Sequence, residues 1–162
     1  MKAIISLLIF NSFFLASCQK ETIEGQGLEF YLVDINDIKS YEFSVDDNTK
    51  LSSILILNSE IESYSWEDHI ITLNEAGNNR LKGLGRLPFV VTINKKPIYG
   101  GWVWNLASSA TYRWVFLVED IGSTPEKQRF SIAFVKDLAN LGKDPRDNAE
   151  IRAYLKKTKK LK

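Results

Sequence analysis

FVVTINKKPIYGGWVW, from Phe89 to Trp104, decides how the chain folds. Phe89-Val90-Val91-Thr92-Ile93 is apolar and β-branched without a break, the composition of a strand covered on both faces rather than of a helix. Asn94-Lys95-Lys96-Pro97 then concentrates turn formers, because asparagine tolerates positive φ and proline presets its own. Ile98 to Trp104 returns as a second strand, so the stretch predicts a β-hairpin.

Strand signals continue on both sides. Leu28 to Val33, Tyr41 to Val45 and Ile54 to Leu57 precede the hairpin, as does Ile70 to Leu73. Tyr112 to Glu119 and Arg129 to Val135 follow it. Each is a short apolar or alternating run bounded by polar turn residues. Two short helices are expected among them. Ser59-Glu60-Ile61-Glu62 has the spacing of a capping box, and Asn74 to Leu84 reads as a short helix. The last element is a helix with Asp144 as cap, Pro145 in its first turn, and Ile151, Tyr154, Leu155 and Thr158 on one face. The expected class is α+β: a mostly antiparallel sheet with short helices and a C-terminal helix.

Composition bounds the function. The chain has 162 residues, 44% hydrophobic and 25% charged, with nine Phe, six Tyr and four Trp to fill a core. One domain is expected at this length. A formal net charge of +1 gives no bulk electrostatic case for nucleic acid. The charge is nonetheless uneven. Cys18 to Pro125 carries 9 Lys/Arg against 15 Asp/Glu, and Glu126 to Lys162 carries 11 against 5. The basic excess falls on the C-terminal helix, where Lys156, Lys157, Lys159, Lys160 and Lys162 suit the negative end of the helix dipole and read as a solvated face.

The N-terminus gives the address. Lys2 precedes a run from Ala3 to Ala16 interrupted only by Ser6, Asn11 and Ser12. As a helix it spans roughly 21 Å, short of the about 30 Å of a bilayer core, and it fits a signal-peptide apolar region. Leu15-Ala16-Ser17-Cys18 resembles the lipobox of bacterial lipoproteins. That resemblance implies cleavage before Cys18, a diacylglycerol on its thiol, and attachment to a membrane of the cell envelope with the domain outside the cytoplasm. The chain then divides into a signal peptide (1–17), a lipidated tether (18–27) and one α+β domain (28–162). Cys18 is the single cysteine, so the fold uses no disulfide.

A second resemblance is partial. Ile70-Ile71-Thr72-Leu73-Asn74-Glu75-Ala76-Gly77 is similar to a strand-then-helix segment in the extracytoplasmic head of the Sec export subunit SecD, and Phe89 to Tyr99 is similar to the apolar strand that follows there. The likeness covers roughly Leu51 to Gly101. It lacks the membrane spans of that family, and its Ala-Gly order is reversed. It implies a module that touches other polypeptides, without motor function.

Signals for chemistry are sparse. With one histidine and one cysteine, no metal site or cofactor is expected. Asp34, Asp37, Asp46 and Asp47 lack EF-hand spacing, and Gly83-Leu84-Gly85-Arg86 lacks the Lys-Ser/Thr of a P-loop. Glu60 and Glu62 are explained by capping. His69, beside Asp68, is the one side chain that titrates near neutral pH unaided. It carries the alternative reading of an envelope hydrolase using His69 and nearby carboxylates, although no Gly-x-Ser-x-Gly is present. The best binding candidates are aromatic. Trp102 and Trp104 share one face of a strand, Tyr112 and Trp114 one face of the next, and pairing of the two strands would gather all four as ligand contacts. The expected function is a non-enzymatic binding or protein-interaction domain on a lipid anchor, with an envelope protein as a possible partner and an export accessory as the further alternative.

Overall fold

The computed structural model describes residues 24–38, 45–104, 114–124, 128–134 and 143–162. Its centre is the predicted hairpin: β5 (Pro88–Ile93) and β6 (Lys96–Val103), paired antiparallel with Phe89 opposite Gly101. Asn94 and Lys95 form the two-residue turn with φ of 51° and 65°, the left-handed pair that matches the twist of the flanking strands. Phe89, Val90, Val91 and Thr92 are all essentially inaccessible, which is why this strand is apolar without alternation.

Six further strands join it: β1 (Leu28–Leu32), β2 (Ile54–Ile56), β3 (Ile61–Ser65), β4 (Ile70–Leu73), β7 (Val115–Glu119) and β8 (Arg129–Phe134). The sheet order is β2-β1-β5-β6-β7-β8-β4-β3. The main core cluster takes side chains from all eight strands, Ile56 of one edge and Ile61 of the other included. The sheet therefore curls almost into a barrel around a single interior. Helix α1 (Glu75–Leu81) adds Leu81 to that core, and α2 (Ala149–Lys157) adds Ile151 and Leu155. Asn74 caps α1 by accepting from the Gly77 N–H at 3.1 Å.

The class is α+β, but the sheet is mixed rather than simply antiparallel. Six of the seven ladders among the described residues are antiparallel, whereas β6 and β7 run parallel, Trp102 opposite Phe116 and Val103 opposite Leu117. Parallel neighbours cannot be joined by a tight hairpin turn.

Two local expectations change. Ser59 does not start a helix: Asn58–Glu60 is a single 3₁₀ turn that leads directly into β3. Glu60 is buried, and Glu62 is exposed on the strand. Helix α2 starts at Ala149, capped by Asn148, and not at Pro145. Asp144 is occupied by Arg146, from which it accepts at 2.6 and 2.9 Å. The apolar face of α2 is as expected. The predicted strand Tyr41 to Val45 falls almost entirely outside the described residues.

The C-terminal residues complete the edge at β3. Tyr64 N–H donates to the Lys160 carbonyl at 2.8 Å, and Lys162 N–H donates to the Tyr64 carbonyl at 2.9 Å, a parallel bridge that covers otherwise open strand groups.

Candidate functional site

Alternation along β6 puts Tyr99, Gly101 and Val103 toward the interior and Trp102 toward the outer face, with Trp104 beyond the strand end in the same direction. On that outer face a second, smaller core forms. Val33, Val90 and Trp102 are buried together, with Ile38, Val45, Leu51, Trp104, Trp114 and Phe116 packed against them. Trp104 meets Phe116 edge-on at 5.5 Å, and Trp114 meets Phe134 in the same way at 5.5 Å. The Arg86 guanidinium stacks over Trp102 at 5.3 Å.

Three of the four predicted aromatics are thus gathered, although they play different parts. Trp102 is only 8% exposed and acts as core. Trp114 is half-buried and joins both cores, its indole N–H unpartnered among the described residues. Trp104 alone also borders a cleft. Tyr112 and Cys18 lie outside the described residues.

The cleft has a volume of about 200 Å³ and opens at the end of the near-barrel where β6 and β7 finish. Leu81, Val103, Leu117 and Phe130 form its apolar floor, Trp104 one wall, and Lys82, Glu119 and Gln128 polar positions around it. An apolar floor with a few convergent polar groups is the usual construction of a small-ligand site. Only Trp104 was legible as a candidate. Phe130 is an inward position of an alternating strand, and Lys82, Glu119 and Gln128 come from three separate segments that only the fold assembles.

His69 sits elsewhere, in the turn between β3 and β4, with φ of 52°. It is 8% exposed and packs against Tyr64 and Trp66 at ring distances of 6.2 and 6.0 Å. Its Nδ1 is 3.0 Å from the Tyr64 hydroxyl, and its Nε2 lies 3.8 Å from Asp147. Burial pushes the Tyr64 phenol well above its ordinary range. Asp68, its neighbour in sequence, accepts from Ser65 Oγ at 2.9 Å and holds the turn. Among the described residues no three His, Cys, Asp or Glu side chains converge as metal ligands.

Asp144 and Arg146 close this corner. Burial raises the Asp144 carboxyl, but the Arg146 side-chain and backbone hydrogen bonds outweigh it and hold the group below its usual range. Arg146 also donates to the Ile132 carbonyl at 2.6 Å. A depressed folded-state pKa contributes stability at neutral pH that disappears as pH falls through the depressed value. Asp144→Asn should therefore lower stability by about 1.5–3 kcal/mol at pH 7. The gap to wild type should close below the ordinary carboxylate range. Denaturant melts from pH 7 to pH 2 measure it, and a constant gap would contradict the assignment.

The chain matches no protein-family model, no curated protein and no solved structure.

Proposed function

We propose that this is a lipid-anchored cell-envelope protein whose domain binds a small, partly apolar ligand without transforming it. The anchor is read from Leu15-Ala16-Ser17-Cys18 at the end of a signal-like segment. The binding reading is carried by Trp104, which links the outer aromatic cluster to the cleft floor of Leu81, Val103, Leu117 and Phe130. Binding is favoured over hydrolysis because His69 is packed between rings, with Nδ1 against the Tyr64 hydroxyl and Nε2 toward Asp147. At about 200 Å³ the cleft suits a ligand smaller than those of typical drug-sized pockets.

Calorimetric titration of the full chain with indole, a small apolar probe with one polar N–H, tests the site. One saturable site is expected, weakened about tenfold or more by Trp104→Ala, since an aromatic wall contributes on the order of 1.5–3 kcal/mol. Unchanged probe affinity in Trp104→Ala would remove the cleft as the binding site. The mass of the N-terminal peptide from membranes tests acylation of Cys18. Recovery of an export complex after crosslinking in intact cells would favour an accessory of secretion instead.

A further inference from the structure

Residues 24–27, where the tether joins the domain, are pinned at one spot. Gly25 N–H donates to the buried Glu29 carboxylate at 2.9 Å. Gly27 N–H donates to Asn94 Oδ1 at 2.8 Å, and Asn94 N–H returns a bond to the Gly27 carbonyl at 2.9 Å. Gly27 has φ of 97° and lies against the Tyr154 hydroxyl of α2, where a side chain would collide. The tether thus leaves the domain between the β5–β6 turn and α2.

Both flanks are basic. The Lys95 side chain lies over Gly25. Lys96 pairs with Glu150 at 3.1 Å. Lys156, Lys157 and Lys159 are exposed along and just beyond α2, opposite its buried Ile151 and Leu155. Five lysines therefore stand on the turn and helix that flank the tether exit, against the exposed Glu24 and Glu150 and the buried Glu29.

We propose that this face, formed by the β5–β6 turn and the outer side of α2, docks on an anionic lipid surface. The proposal rests on the lipid-anchor reading for what brings the face to a membrane. Cys18 precedes Gly25 by seven residues, so extended chain puts an acylated Cys18 at most about 25 Å from the exit. At that range a basic face settles on anionic headgroups, each lysine at the surface strengthening docking about fivefold. The orientation also suits the cleft. Lys96 and Val103 are opposite ends of β6, so docking by the first turns the cleft mouth beside the second away from the bilayer.

The test uses the full chain purified from membranes and reconstituted into vesicles of phosphatidylcholine alone or of equal phosphatidylcholine and phosphatidylglycerol. A water-soluble amine-reactive reagent labels the lysines, and mass spectrometry reads each position. Lys95, Lys156 and Lys157 should label several-fold more slowly on the anionic vesicles, with protection lost in high salt and Lys82 beside the cleft unchanged. The double variant Lys156→Gln, Lys157→Gln should weaken docking about thirtyfold and expose Lys95 as well. Equal labelling on the two vesicles would overturn the docking face. The N-terminal peptide in the same digest reports on the anchor separately. Acylated Cys18 without protection removes the face and leaves the anchor, and protection with unmodified Cys18 does the reverse.

Discussion

Phe89→Ala should destabilise the protein by about 3–5 kcal/mol, the range for removing a fully buried aromatic ring. Phe89 has no accessible surface, packs on Phe30 at 5.6 Å, and lies opposite Gly101 on the neighbouring strand. The glycine is what accommodates the ring. A Cβ at position 101 would stand 2.7 Å from Phe89 Cζ and 2.9 Å from the Val115 carbonyl oxygen. The second contact is with backbone, which cannot rotate away. Gly101→Ala should consequently cost about 1–3 kcal/mol through overpacking. Shortening the ring in Phe89→Leu should recover only part of that cost, because the Val115 contact remains. A double-mutant cycle read by urea denaturation measures the recoverable share. Full additivity would mean that the ring and position 101 do not share space. At typical stabilities of about 0.05–0.15 kcal/mol per residue, Phe89→Ala removes a large fraction of what holds the domain.

Arg80→Ala should follow closely, at about 3 kcal/mol. Glu60 is 3% exposed and accepts from Arg80 Nη2 at 2.7 Å and Nε at 3.1 Å, while its second oxygen accepts from the Leu57 N–H at 2.8 Å. The hydrogen bonds that Arg80 donates to Glu60 raise the Arg80 pKa. The pair is lopsided, since the arginine side chain is 36% exposed and the glutamate 4%. Removing the arginine strands a charge inside the protein, which is the costly direction. Glu60→Gln leaves a half-exposed guanidinium that water can solvate, and should cost less. Equal losses in the two variants, measured in the same urea melts, would mean that desolvation of Glu60 does not set the balance.

These two sites differ in how much of them could be read beforehand. Phe89 announces itself, because a β-branched run followed by Asn-Lys and a proline supplies strand, turn and return within sixteen residues. Glu60 was legible only as a capping carboxylate. It does reach a backbone N–H three residues before it, but on a 3₁₀ turn, and its chief partner lies twenty residues away on α1. The alternation of buried Ile61 and Ser63 around exposed Glu62 was the local sign of a strand there, and the capping pattern masked it. At the other end, Asp144-Pro145 and Asn148 are both valid helix starts by local chemistry. The choice fell to Asn148 because Arg146 takes Asp144.

The parallel contact of β6 with β7 illustrates a deeper limit. Spacing by two put Trp102 and Trp104 on one side, correctly. Which side faces the interior depends on Gly101 fitting Phe89, and which strand lies next depends on a crossover with no local signature. The cleft inherits that limit, being built where α1, β6, β7 and β8 converge.

The closing of the β3 edge by residues 160–162 has a consequence in time. Beyond its pair with β2 the first strand waits for β5, and the outer edge of β3 waits for residues 160–162, so the β5–β6, β7–β8 and β3–β4 pairs, closest in sequence, can form first. Topologies dominated by such distant partners fold slowly. Until residues 160–162 reach Tyr64, the outer edge of β3 stays unsealed and the near-barrel unfinished, so closure of the sheet belongs to the last stage of folding.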